Sequence, residues 1–162
     1  MCRGRVAIGT LRPVVSLRPI SPSNRDAVEA LSVSEAQQRF VSGVADSLRE
    51  ASEHPGARAI YWGVFADDTP VGFVMIADEV DGPPYISQYL WKLLIDERYQ
   101  GRGYGTATLD LVVEYFRGRP GVEVIWTSAS QGEGSPIPFY ERYGFEQAGD
   151  LWGEVKLRLT IS

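Results

Sequence analysis

Leu93-Leu94-Ile95-Asp96-Glu97-Arg98-Tyr99-Gln100-Gly101-Arg102-Gly103-Tyr104-Gly105 carries the transition that decides the fold: an apolar strand runs into a glycine-spaced loop that opens into a helix. Upstream, Tyr85 to Ile95 is rich in aromatic and aliphatic residues and reads as one long strand. Downstream, Gly105, Leu109, Val112 and Phe116 share one helical face while Asp110 and Glu114 sit off it, so an amphipathic helix runs from Gly103 until Gly118-Arg119-Pro120-Gly121 ends it. A diphosphate needs several backbone N–H donors converging without intervening side chains, and a helix amino terminus adds the positive end of its dipole. Gly101, Gly103 and Gly105 allow close approach and positive φ, and Arg102 adds charge. The segment reads as a phosphate cradle, with a plain strand-to-helix turn as the alternative.

Two other phosphate loops fail on spacing. A dinucleotide fingerprint places two residues between its second and third glycines and an acidic residue at the end of the next strand; here one residue intervenes and that strand ends in Thr127-Ser128-Ala129-Ser130. No Gly-Lys-Ser/Thr follows the glycines, which removes the P-loop.

Around this centre the chain alternates strands and helices. Val14 to Arg18 reads as a first strand, followed by a short helix from Ser21–Asn24 through Leu31. Ser34 with Gln37 makes a capping box for a second helix carrying Phe40, Val44, Leu48 and Ala51 on one face, stopped by His54-Pro55-Gly56. Ala59 to Ala66 and Val71 to Ala77 flank the turn formers Asp67-Asp68-Thr69-Pro70 and read as a hairpin. Val122 to Thr127 is a buried strand, Ser135 to Tyr143 a short helix entered through Pro136, and Glu154 to Ile161 a final strand. The order is mixed α/β.

Composition narrows the function. Cys2 is the one cysteine, so no intramolecular disulfide forms, and the lone His54 leaves no His/Cys cluster for zinc; a reducing cytoplasm is expected. A formal charge of −5 disfavours general affinity for nucleic acid and is compatible with cationic small molecules, although mild acidity is also ordinary for soluble proteins. No apolar run approaches the roughly 20 residues that span a bilayer. Residues 1–13 read as a tail and 14–162 as a single domain.

The run from Leu93 to Gly105 resembles the acetyl-CoA motif of the GNAT N-acetyltransferases, whose core is Gln/Arg-x-x-Gly-x-Gly/Ala. Pro136-Ile137-Pro138-Phe139-Tyr140-Glu141-Arg142-Tyr143-Gly144-Phe145 resembles the family's second motif, ending in Tyr-x-x-x-Gly-Phe, and the two stand in the family's order. The resemblance implies the GNAT fold, a three-layer α+β arrangement of about six to seven mixed strands flanked by about four helices. It implies acetyl-CoA as co-substrate and no metal. The diphosphate would sit on the loop of Gln100, Gly101, Arg102, Gly103, Tyr104, Gly105 and Thr106, with Gln100 shaping it, and the pantetheine arm would pair with backbone near Leu93 and Ile95. Where the family often has Asn followed three residues later by Ala, this chain has Glu133 and Pro136, so a CoA contact from that Asn is not expected.

Acetyl transfer to an amine requires a neutral amine, stabilisation of the oxyanion and a proton for the departing thiolate. The resemblance gives Tyr140 the role of general acid and a backbone N–H near Ile95 that of oxyanion donor; the residues alone also allow Phe139, Tyr140 and Phe145 to be core aromatics. The base stays open among Asp78, Glu79, Asp81, Glu97 and Glu154. Trp62, Tyr85, Tyr89 and Trp91 are candidates to wall an acceptor pocket, with Tyr89, Trp91 and Glu79 taken as substrate-binding. His54, at a predicted helix end, is read as a surface residue.

Within the family, Trp91 to Asp96, Gly153-Glu154 and Gln38-Arg39-Phe40-Val41 look like the bacterial spermine/spermidine acetyltransferases, which makes a polyamine or another small primary amine the expected acceptor. An antibiotic amine, an amino acid or a protein amino terminus are the other acceptors, and a CoA-binding sensor without turnover is the reading from a different class. A homodimer is common in the family.

Overall fold

A computed structural model describes residues 12–162; most of the expected tail, residues 1–11, lies outside the described residues. Among the described residues seven strands form one sheet in the order β1-β2-β3-β4-β5-β7-β6. The strands are β1 (Ser16–Arg18), β2 (Ala59–Ala66), β3 (Thr69–Ala77), β4 (Tyr89–Ile95), β5 (Val124–Ala129), β6 (Glu146–Leu151) and β7 (Glu154–Thr160). The helices are α1 (Arg25–Glu29), α2 (Val44–Glu53), α3 (Tyr104–Arg117) and α4 (Ile137–Tyr143). This is the mixed α+β architecture expected of the GNAT fold.

Strand alternation sends side chains to two faces, and each face has its own core. Val74, Ile76, Leu90 and Ile125 pack with Leu109, Val112 and Phe116 of α3 and with Ile137 and Tyr140 of α4. On the other face Phe73, Met75 and Leu94 pack with Val28 of α1 and Val44 and Leu48 of α2. The sheet is therefore a middle layer, with α1 and α2 on one side and α3 and α4 on the other.

Several boundaries differ from expectation. Pairing of β1 begins at Ser16, opposite Phe65, and Val14 is left 87% exposed. The second helix is broken: Ser34 starts a single 3-10 turn, Glu35–Gln37, and a new start at Gly43 is needed for α2. The break frees Phe40 and Val41 from the helical face on which periodicity places Phe40, and both line the cavity described below. The strand expected from Tyr85 begins only at Tyr89. Asp78 draws the preceding loop back on itself, accepting from the Glu79 backbone N–H at 2.9 Å and from Gln88 Nε2 at 3.2 Å. The strand β5 is shifted to Val124–Ala129 because it follows β7 from Val124↔Thr160 to Ala129↔Val155. Ser135 caps α4 from outside, its Oγ accepting from the Ile137 N–H at 3.2 Å. The unexpected strand is β6: Glu-Gln-Ala-Gly-Asp-Leu has no alternation of its own and extends only because β7 offers it an edge.

Candidate active site

The site begins where the sheet comes apart. Strands β4 and β5 run parallel and meet at one register position, Tyr89↔Trp126, after which they splay. The β3–β4 register slips between Met75, opposite Lys92, and Ile76, opposite Leu90, so Trp91 is the extra residue of a bulge. Past the bulge, Asp96 N–H donates to Val71 O at 2.9 Å on the β3 side. Leu90 O and Ile95 O instead accept side-chain bonds, from Thr127 Oγ1 at 2.9 Å and Gln100 Nε2 at 2.8 Å. By strand alternation the main-chain polar groups of Leu93 and Ile95 then face the side that β5 has vacated. An open strand edge in a sheet interior is a binding surface for an extended, amide-bearing chain.

The glycine loop lies at the carboxyl end of this gap. Gly101 and Gly103 hold φ of 77° and 86°, left-handed values that a side-chain-bearing residue adopts only with strain. The N–H groups of Tyr104, Gly105 and Thr106 are the first three of α3 and have no acceptor within the helix. Gln100 fixes the loop: besides Ile95 O, its amide exchanges two bonds with Gln37, at 2.9 and 3.1 Å. Asp96 anchors the same segment from beneath. It is 2% exposed and accepts from the backbone N–H groups of Ser32 and Arg98, each at 2.9 Å, and from Arg98 Nε. Burial pushes its carboxyl up, but the hydrogen bonds from Arg98 and Ser32 outweigh that and hold it below the usual carboxylate range.

Helix α4 closes the gap from the β5 side. Phe139 lies on the cradle, since a Cβ at Gly105 would come within 3.1 Å of its ring. The next residue, Tyr140, is 5% exposed, is held between Phe139 and Phe145 at centroid distances of 5.4 and 5.3 Å, and lines the gap. Burial pushes its phenol well above the ordinary tyrosine value, only partly offset by Thr127, so the group is a proton donor throughout the neutral range.

Together these elements enclose a cavity of ≈ 590 Å³, within the range that accommodates small-molecule ligands. Leu93, Ile95, Gln100, Gly101, Gly103, Tyr104, Gly105, Thr106, Trp91 and Tyr140 all line it. Arg102 does not; its guanidinium lies 5.7 Å over the Tyr99 ring. The charged residues of the lining are Arg12, Lys92 and Arg142, all cationic. The loop at Gly132 and Gly134 packs closely on Ala36, Arg39 and Phe40, and Gly134 and Phe40 line the cavity.

Other sequence candidates fall elsewhere. Glu79 lies outside the lining and pairs with Arg119, as does buried Asp78, while Asp81 pairs with Arg58 at 2.8 Å, so the acidic loop is already neutralised by arginines. Trp62 packs edge-on against Tyr115, away from the cavity. Tyr85 bonds His54 Nδ1 at 3.2 Å, behind Trp91. Tyr89 is buried and lies outside the lining, its hydroxyl bonding Ser128, which does line the cavity. Residues that the sequence reading missed include Gln37, Lys92, Thr127 and Ser128. The clustered hydroxyls of Thr127-Ser128-Ala129-Ser130 at a strand end were the one local signal for the last two.

The profile of the Acetyltransferase (GNAT) family matches residues 25–145. The chain is 25% identical over 144 residues to the spermine/spermidine N(1)-acetyltransferase of Bacillus subtilis, covering 85% of this chain and 91% of that one. Among solved structures, the PaiA N-acetyltransferase of Thermoplasma acidophilum in complex with coenzyme A superposes with a TM-score of 0.63 at 17% identity, covering 91% and 99% of the two chains. AAC(6')-Ib in complex with ribostamycin and coenzyme A gives 0.69 at 19% identity, covering 90% and 93%. A splayed parallel pair, a glycine cradle at its open end and a profile match spanning both motifs lead to one conclusion: the chain belongs to the GNAT acetyltransferase family.

Proposed function

We propose that the protein is an acetyl-CoA-dependent N-acetyltransferase that acts on a primary amine of a small molecule, by direct attack on the donor. The carrying observation is the open β4 edge at Leu93 and Ile95, set between the glycine cradle and Tyr140. Acetyl-CoA supplies the acetyl group as a thioester. The chain's part is to hold it and manage protons. The free amides around Gly101 to Thr106 receive the diphosphate, and the main-chain groups of Leu93 and Ile95 receive the pantetheine amides. A backbone N–H near Ile95 is the donor for the oxyanion. The Tyr140 phenol, kept protonated by burial, gives its proton to the departing sulfur.

For the acceptor, the relatives from Bacillus subtilis support a polyamine. The acidic loop at Asp78–Asp81 does not add support, because its carboxylates are engaged by Arg119 and Arg58. The reading is tested by measuring thiol release from acetyl-CoA with spermidine, spermine, putrescine, amino acids and aminoglycosides. Turnover of spermidine above background hydrolysis supports the polyamine acceptor, and faster turnover of another amine replaces it. Tight CoA binding with no thiol release from any amine would leave a CoA sensor instead.

A further inference from the structure

The proposed function leaves one proton unassigned. An amine reaches the site as an ammonium ion, and it attacks only after losing a proton. The cavity lining holds no carboxylate among the described residues. Three carboxylates lie one bond behind it. Asp110 bonds Arg12 and Tyr143, and Glu50 pairs with Lys92 at 3.0 Å, so both include a cation among their partners. The third, Glu154 at the start of β7, reaches the lining through an uncharged hydroxyl: Ser128 Oγ donates to Glu154 Oε1 at 2.8 Å.

The hydrogen-bond inventory at Ser128 is decisive. Its hydroxyl carries one proton and two lone pairs. The proton is given to Glu154, which as a carboxylate only accepts. The Tyr89 phenol, also bonded to Ser128 Oγ, must therefore be the donor there, and it occupies one lone pair. Burial keeps that phenol protonated, with Ser128 opposing and Glu154 adding to the shift. One lone pair of Ser128 is left for an N–H donor from the cavity. Ser130 Oγ, at 3.3 Å from Glu154 Oε2, holds the carboxylate in place from its other oxygen.

We propose that Ser128 takes the proton of the incoming ammonium and passes its own to Glu154, so that the Tyr89–Ser128–Glu154 chain generates the nucleophilic amine. The N–H bond breaks as an O–H bond forms at Ser128, and the original Ser128 O–H proton moves to Glu154 Oε1. Ammonium plus carboxylate become amine plus carboxylic acid, with no change of oxidation state. Glu154 is partly exposed and returns the proton to water. Titratable groups on the strands around it are Tyr89 and Lys92 of β4, Glu146 and Asp150 of β6, and Arg158 and Lys156 of β7, the last with its ammonium 4.3 Å over the Trp126 ring. Ser128 is the group that touches the amine; Glu154 acts through it.

This inference rests on the acetyltransferase reading, and the experiment separates the two. The full chain and its Glu154→Gln, Glu154→Asp and Ser128→Ala variants are assayed by thiol release between pH 6 and 10, using acetyl-CoA and the fastest amine among spermidine, putrescine, glycine and kanamycin. Glu154→Gln keeps an acceptor for Ser128 but cannot take a proton, and kcat/KM for an amine with a pKa of about 10 should fall roughly 1,000-fold near pH 7. The loss should shrink about tenfold per pH unit toward the amine's own pKa, where the free amine no longer needs a base. Ser128→Ala should follow the same profile, Glu154→Asp should recover part of the rate, and the KM for acetyl-CoA should be unchanged. An unchanged rate in Glu154→Gln, or a loss equal at every pH, overturns the relay while leaving the acetyltransferase standing. If Glu154→Gln does not fold, the pH profile of Ser128→Ala decides in the same way. A wild-type chain inactive with every amine overturns the proposed function and the relay with it.

Discussion

Replacing Tyr140 by phenylalanine separates the proposed chemistry from packing, because the ring packs in the core while the hydroxyl alone carries the proposed role. The ring is packed with Phe139 and Phe145 at 5.4 and 5.3 Å and belongs to the core beneath α4. Phenylalanine preserves those contacts, so the cost to stability is the net worth of one hydrogen-bonding hydroxyl, about 1 kcal/mol, a shift of roughly 2–4 °C in Tm. The cradle and the open edge of β4 are untouched, so the Kd for CoA should stay within about twofold, since no CoA-binding hydrogen bond has been removed. The hydroxyl is the proposed proton donor to sulfur, and general acid catalysis contributes roughly 10²–10⁴-fold. A fall of that size in kcat corresponds to about 2.7–5.4 kcal/mol of lost transition-state stabilisation. The assay is thiol release under saturating acetyl-CoA, beside calorimetric titration with CoA and a thermal melt. The wild-type pH profile adds a check with a definite sign: because burial raises the phenol, deprotonation of Tyr140 cannot cause a decline in rate below about pH 10. A Tyr140→Phe variant with unchanged kcat refutes the role. A fall in kcat matched by collapse of Tm or of CoA affinity attributes the loss to packing.

Three further outcomes are expected. Gly103→Ala forces a Cβ into φ of 86° with Pro13 Cδ 3.0 Å away, and should cost about 1–2 kcal/mol and lower both Tm and CoA affinity, read by melting and titration. Gln100→Ala removes the 2.8 Å bond to Ile95 O and the exchange with Gln37, and should weaken CoA binding about 5- to 30-fold while leaving the fold intact by circular dichroism. Asp96→Asn leaves the amides of Ser32 and Arg98 to share one oxygen and should cost about 2–4 kcal/mol at neutral pH. The Asp96 carboxyl is depressed in the folded state, so its contribution is fully present above the unfolded value near pH 4 and is lost as pH falls through the folded one. The Tm gap between wild type and Asp96→Asn should therefore narrow below about pH 4.

Sequence by itself determined the glycine loop and its place between strand and helix. Glycine spacing is local, and the conformations it permits, φ of 77° and 86° at Gly101 and Gly103, need no distant partner to be anticipated. The same holds for β2, bounded as expected at Ala59–Ala66, and for α3, whose apolar period is its own evidence. Tertiary structure alone decided the rest. The strand β6 lacks a local signal and exists through hydrogen bonds to β7. The second helix starts anew at Gly43 although its apolar period runs on, and Phe40 and Val41, left outside it, line the cavity. Glu79 and Asp78 looked free in sequence and are occupied by Arg119, forty residues away, whereas Glu154 and Ser128 look unrelated and share a 2.8 Å hydrogen bond. Charge pairing and proton paths depend on which strands lie side by side, and the sheet order that brings β4, β5 and β7 together is written in no single stretch of the chain.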